Sequence, residues 1–511
     1  MKKINYMVEK IDAQIKNKKE SNKGYEEIFS ILYKDFFNYN SEEDWVNKDY
    51  IFTDNEIVFN ALNKFLGYKD VKSYNLPLSA LYGIAKGRKK LIETIKNDNK
   101  KVDIINYSSY MVIDYEKLKS GEFLETAIAM KDKKVSNIVV VALKHSSEKT
   151  NDIVDFYEEN EFLVFESNIS KLKSIHQNIK IANKSKTASI IIVEVPEDYK
   201  SSDNDIEVFD IKSSIKERNT EVYKKWLSEY DKVVESKNQN ILDIINYLKT
   251  KKLNIDLEAI EFKLDPNYEN SIDKSSEKIF SILEEKSDFI KNVTTSNDSL
   301  ALGISMGLSV IGFKPTCEVK DITKVYGLIN KCNKYNLPVN LTIKDITAPI
   351  DIMGLNVYYP CDMHEVIGTW SSIIKQNKTS LIVLSEKEAK LMKNTNIKYV
   401  KYGAYMIRKE NEVLNGVISA SGEEINLALA VAGLLEKENL QFRVVTMPCP
   451  NLLLNQVKYE KDLLPRSVKN FVIDNSDALI SYKFSSNKDC VIPAKLGLDR
   501  IKEKIKDLLI D

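Results

Sequence analysis

Asp114, Tyr115, Glu116 and Lys117 follow a short apolar run at residues 111–113 and precede a helical pattern from residue 121 to about 133. A loop placed there, at the carboxyl end of a strand in a strand–helix–strand unit, is where a doubly wound sheet usually holds a cofactor's phosphates. Phosphates call for glycines and bare backbone N–H groups. This loop offers two carboxylates, an aromatic ring and an ammonium instead. The position suggests a cofactor site, and the residue types argue against one.

Other reactive side chains are sparse. The 511 residues include three histidines, His145, His176 and His364, too few and too scattered for a multi-histidine catalytic or metal cluster. Glycine is 16 of 511, under half the usual share of about 7%, which disfavours glycine-rich phosphate loops. Lys plus Arg and Asp plus Glu are both 75, so no global field draws the chain to nucleic acid or membrane. The lysine-rich stretch 86–101 also carries Glu93 and Asp98 and reads as a solvated helix face. Cys317, Cys332, Cys361, Cys449 and Cys490 form no CxxC pair. With no secretory apolar segment at the start and no run of eighteen apolar residues, they read as packed, reduced thiols of a cytoplasmic protein.

The elements that must position these residues alternate along the chain. Residues 1 to about 100 read mostly as helix, with Trp45, Ile51, Phe52, Phe59, Leu62, Phe65 and Leu66 as bulk. Strand-like runs at 102–105 with 111–113 and at 138–143 flank the helix that starts at 121. A helix near 151–160, a strand at 162–166, a helix at 170–182 and a strand at 189–195 follow. Residues 197–270 are charged, with a long helix around 220–250, and read as a linker. A second α/β unit has helix 299–310, strand 314–319, helix 323–335, strand 339–343, helix 362–376 and strand 380–385. Asp362 and Glu365 form a D-x-x-E cap. A third unit runs from strand 416–420 through a capping box, Ser421-Gly422-Glu423-Glu424, into helix 425–438. Strand 442–447, a strand near 467–474 and a terminal helix 498–509 complete it. This alternation predicts an α/β protein of mostly parallel sheets flanked by helices. The domains expected are 1–200, 271–395 and 396–511, joined by a helical linker at 201–270.

The most specific text lies in the third unit. GVISASGEEINLALAVAGLLEKENLQFRVVTMP at 416–448, followed by YEKDLLPRSVKNFVID at 459–474, resembles the C-terminal domain of transketolases. GFKP at 312–315, YPCDMHEV at 359–366 and TSLIVLS at 379–385 resemble that family's pyrimidine-binding domain. YEEIFSILYKDFFNYNS at 25–41, LNKFLGY at 62–68 and ETAIAMKDKKVSNIVVV at 125–141 follow its pyrophosphate-binding domain. The resemblance spans all three domains in order and implies the thiamine diphosphate-binding fold.

It also implies which positions should carry chemistry. The family holds thiamine diphosphate through a divalent metal, with a Gly-Asp-Gly motif and an Asn about thirty residues on. Those positions fall on Asp114, Tyr115 and Glu116, and on His145. Asp114 or Glu116 could replace the lost metal ligand, but only by adding negative charge beside a diphosphate. The aromatic residues that stack on the cofactor's pyrimidine fall on Lys320 and Thr323. The Glu that protonates the ring falls on Asn297 or Asp298, depending on one gap. Asp298 is therefore a vestigial catalytic candidate, against the simpler reading that one of the pair caps the next helix. The family's substrate histidines fall on Ser21-Asn22-Lys23-Gly24, on Thr53-Asp54-Asn55-Glu56 and in a shortened loop at 344–355, none of which holds a His. The Gly-Ser-rich substrate loop is missing between Cys490 and Leu498. His364 and His176 lie outside these motifs and read as surface or packed residues.

The resulting expectation is a transketolase-like pseudoenzyme that binds no thiamine diphosphate and no metal, a structural or regulatory partner. The resemblance implies a homodimer, or a heteromer with a transketolase-family protein, and no nucleic-acid or membrane partner. The alternative is a divergent active transketolase of the pentose phosphate pathway. It would use thiamine diphosphate and magnesium to transfer a two-carbon ketol unit between sugar phosphates.

Overall fold

A computed structural model describes residues 23–40, 45–68, 71–98, 104–145, 149–199, 208–253, 255–257, 269–344, 350, 352–475 and 479–510. The chain divides into two compact units, residues 1–251 with 303–312, and residues 252–302 with 313–511. Among the described residues no helix is long and apolar enough to cross a membrane.

The first unit is built on six strands: β1 Tyr50–Thr53, β2 Ser73–Tyr74, β3 Ser109–Asp114, β4 Ile138–Lys144, β5 Leu163–Asn168 and β6 Ser189–Glu194. They form one sheet in the order β2-β1-β3-β4-β6-β5, every pair parallel. A parallel sheet covered on both faces needs strands that are apolar throughout. Every residue of β4 is buried, and so are the first five of β3. On one face, Tyr110, Val112, Val139, Val141, Ile191 and Val193 join a core with residues of the helices Tyr25–Ile31, Glu56–Leu66 and Leu172–Ala182.

Several expectations are corrected here. The described part of the first hundred residues is mostly helical, as expected, but β1 and β2 also lie within it. Strands of four and two residues are too short for periodicity to separate from helix. The strand expected at 102–105 is absent at Ile104 and Ile105, which are buried without strand pairing, and residues 102–103 lie outside the described residues. The single helix expected near 220–250 is two, Val208–Ser236 and Gln239–Thr250. Lys237 turns left-handed at φ 53°, and the Asn238 side chain accepts the Ile241 N–H to start the second.

In the second unit the strands are β7 Glu269–Ser271, β8 Ile290–Asn292, β9 Lys314–Glu318, β10 Asn340–Lys344, β11 Asn356–Tyr358, β12 Ser380–Leu384, β13 Glu388–Lys390, β14 Tyr405–Arg408, β15 Gly416–Ala420, β16 Phe442–Thr446, β17 Lys469–Ile473 and β18 Val491–Ile492. One parallel sheet has the order β11-β12-β10-β9-β8, and β7 pairs antiparallel with β13. The last sheet, β14-β16-β15-β17-β18, is parallel except for β14 at its edge. The α/β architecture with mostly parallel sheets agrees with the sequence reading.

Helix starts in this unit separate real caps from apparent ones. Asp362 accepts the Glu365 N–H at 3.0 Å and opens the helix Met363–Lys375, as its spacing predicts. The box at Ser421 does not form. The helix begins at Glu424, and Ser421 Oγ donates to the Met447 carbonyl at 2.8 Å. Gly422, left-handed at φ 57°, donates to the Tyr359 carbonyl. A tertiary partner outcompetes the local one.

Candidate functional site

The loop after β3 is closed by its own side chains. Asp114 ends the strand and caps a short 3₁₀ helix, Tyr115–Lys119, its Oδ1 accepting the Glu116 N–H at 2.8 Å. The Asp114 N–H donates to Asp54 Oδ2 at 3.0 Å. Asp54, just past the end of β1, also accepts the Tyr25 hydroxyl at 2.6 Å and faces Lys117 Nζ at 3.4 Å. Burial and the Asp54 carboxylate hold the Tyr25 hydroxyl far from ionising.

Tyr115 is only 1% exposed, and Lys119 Nζ stands 4.9 Å from its ring centre. Glu116 is salt-bridged to Lys119 at 3.0 Å. His145 follows β4 directly. Burial lowers its pKa against an opposing pull from Asp114, and its Nε2 has no hydrogen-bond partner among the described residues. The structure therefore gathers Tyr25, Asp54, Asp114, Lys117 and His145 at the carboxyl ends of β1, β3 and β4. Two carboxylates there are each bonded to a backbone amide.

Asn55 caps the helix Glu56–Leu66 through the Val58 N–H at 3.1 Å. Lys23 Nζ donates to the Glu197 carbonyl at 2.7 Å. Ser21, Asn22, residues 345–349 and Asp351 lie outside the described residues.

In the second unit, Asn297 Oδ1 accepts the Leu300 N–H at 3.0 Å, so the capping role falls to Asn297. Asp298 Oδ2 accepts the N–H groups of Lys320 at 2.9 Å and Asp321 at 3.0 Å. Asp321 in turn caps the helix Ile322–Tyr335 through Thr323. Lys320 and Thr323 are exposed. His364 Nδ1 lies 2.8 Å from Thr395 Oγ1, and His176 packs on Phe36 and faces Asp35 at 3.4 Å. Both histidines are packed into local contacts.

The sequence reading missed a buried polar knot in this unit. Glu365 is fully buried and accepts the Cys361 N–H at 2.9 Å, the Tyr405 hydroxyl at 2.8 Å and the Thr446 hydroxyl at 2.9 Å. Burial, and then the charge of Asp362, raise its pKa to about 7. Its place in the D-x-x-E pattern was the available signal, but only the fold reveals that it is enclosed.

Comparison with known proteins agrees with this architecture. The family described as "Transketolase-like TK C-terminal domain" matches residues 403–495. The transketolase of Streptococcus pyogenes is 27% identical over 136 residues, 26% of this chain and 19% of its own length. That of Mycoplasma genitalium is 30% identical over 131 residues, 25% of this chain and 20% of its own length. The matched stretch thus spans about a fifth of these relatives. The solved transketolase from Leishmania mexicana superposes with a TM-score of 0.84 at 17% identity, covering 100% of this chain and 97% of that one. Residues 403–495 thus match the transketolase C-terminal domain, and the chain as a whole has the transketolase fold.

Proposed function

We propose that the protein is a transketolase-like pseudoenzyme that binds no thiamine diphosphate and works as a structural or regulatory partner. The observation that carries this reading is the bonding of the loop after β3. The N–H groups of Asp114 and Glu116, which a phosphate would need, are held by the carboxylates of Asp54 and Asp114. A diphosphate brought there would have to displace those bonds and face two carboxylates. At the position of the family's metal-binding Asp stands Tyr115, a buried phenol, and at that of the Asn stands His145. A hard divalent cation prefers carboxylate or carbonyl oxygens to a protonated phenol or an imidazole nitrogen. The residues present do not fit the cofactor, and no reaction step is assigned through it. The vestigial Asp298 is taken up in joining two backbone segments.

Calorimetric titration of the full chain with thiamine diphosphate and magnesium is expected to give no saturable heat up to about 1 mM. A micromolar constant, with ketol transfer from xylulose 5-phosphate, would establish the active-enzyme alternative instead. We further propose the three-domain division 1–200, 271–395 and 396–511 with its helical linker, a cytoplasmic location, and assembly as a homodimer or with a transketolase-family protein. Light scattering of the purified chain at micromolar concentration is expected to give twice the 58.6 kDa chain mass. A clean monomer that also fails to associate with a co-expressed transketolase would exclude both assemblies.

A further inference from the structure

The first unit contains a cavity of about 320 Å³ at the opposite end of its sheet from the Asp114 loop. Tyr50 opens β1 and Tyr107 precedes β3, whereas Asp54 and Asp114 mark the other ends of those strands. At ~3.3 Å per residue, Tyr107 and Asp114 are roughly 20 Å apart. The cavity is thus a separate place on the fold, and its volume lies in the range of small-molecule sites.

Its walls are aromatic. Phe37, Tyr39, Trp45, Tyr50, Tyr74 and Tyr107 all line it. The Tyr50 and Tyr107 rings meet edge-on with centres 5.2 Å apart, and Phe37 stacks with Tyr39. Two of these walls carry hydrogen-bond donors with no acceptor among the described residues, Trp45 Nε1 and Tyr107 Oη, on residues 1% and 2% exposed. An indole N–H can only donate, and buried donors without acceptors are rare because they are costly. Among the described residues, the charged lining is four lysines, Lys48, Lys72, Lys249 and Lys251, and one carboxylate, Asp49. Both Asp49 oxygens already accept backbone N–H groups, from Asn38 at 2.8 Å and Ser108 at 2.6 Å. Among the described residues the lining is therefore net cationic, rich in ring faces and in want of acceptors.

We propose that this cavity binds a small aromatic anion, its ring among the tyrosine, phenylalanine and tryptophan side chains and its oxyanion toward the donors and lysines. Ring faces favour a flat apolar body. Unmet donors and a lysine excess favour a carboxylate or phosphate over a neutral group. This site goes beyond the pseudoenzyme reading and stands whether or not that reading holds.

The test is calorimetric titration of the full chain with 2-naphthoate, with 2-naphthylmethanol as the neutral isostere. Saturable one-to-one binding of the anion is expected, at least about tenfold tighter than the alcohol. Tyr107→Phe keeps the ring, removes the donor and is expected to weaken naphthoate about tenfold. Lys72→Gln, at an exposed position, is expected to weaken it about threefold without disturbing the fold. Thermal melts of each variant separate lost binding from lost structure. No saturable heat, equal affinity for acid and alcohol, or naphthoate binding unchanged in both variants would overturn the proposal.

Discussion

Replacing Glu365 with Gln is expected to raise stability by roughly 3 kcal/mol at pH 8, an advantage that fades toward pH 5. The Glu365 pKa is about 7 against an ordinary 4.5, with burial the largest cause and Asp362 the second. The folded state thus holds this proton more tightly than the unfolded chain. Stability is full below the ordinary carboxylate range and is lost as the pH rises toward 7. At ~1.4 kcal/mol per pH unit, the difference of about 2.5 units gives the stated size. Gln supplies the neutral form permanently. Its amide oxygen can take the Cys361 N–H, and its NH₂ can donate to the Tyr405 and Thr446 hydroxyl oxygens, which rotate to accept. Asp49, also buried and raised to about 7 by burial, gives the parent a second slope of the same sign. That slope remains in the variant. Melting temperatures of both proteins between pH 5 and 8 provide the check. A variant less stable at pH 8 would mean that three donors keep Glu365 ionised despite its burial.

A larger loss is expected from adding one methyl group at Gly307. A Cβ there would lie 1.8 Å from the Ala80 carbonyl oxygen, and one at Gly83 would lie 2.1 Å from that of Ile304. The helices Leu78–Asp98 and Asp298–Val310 therefore touch backbone to backbone, through Gly83 on one and Gly307 on the other, while the Ser79 side chain lies over Gly303. A carbonyl oxygen within a helix cannot swing aside as a side chain would. Gly307→Ala gains up to about 1 kcal/mol in helix propensity. Overpacking costs more, so the net loss is expected at about 2–4 kcal/mol. Gly327 provides the contrast, since it lies within the helix Ile322–Tyr335 with nothing near its missing Cβ. Gly327→Ala should stabilise by about 0.5–1 kcal/mol. Urea midpoints of the two variants moving in opposite directions would bear this out. Equal shifts would mean that the helices part without penalty.

The glycines at 303 and 307 were readable as a spaced pair, but their partners at Ser79 and Ala80 lie over two hundred residues earlier. Periodicity reports which face of a helix is apolar, not which distant backbone it approaches. The edge strand β14 and the short strands β1, β2 and β18 escaped for a related reason. Two to four residues carry too little pattern, and only pairing with a neighbour makes them strands. Long elements such as β4 and the helix Leu172–Ala182 were legible because every residue must satisfy the same buried or amphipathic pattern.

By itself the amino-acid sequence determined the α/β class, the order of the main elements, the Asp362 cap and the family resemblance. Each depends on residues close along the chain or on text kept from a common ancestor. Only the tertiary structure decided that Asp54 bridges to Asp114, that Glu365 is enclosed, that Ser421 turns away from its helix, and that six aromatic residues surround one cavity. Those outcomes depend on which groups from remote segments meet in a low-dielectric interior. There a single hydrogen-bond partner decides whether a carboxylate is a ligand, a cap or a strut.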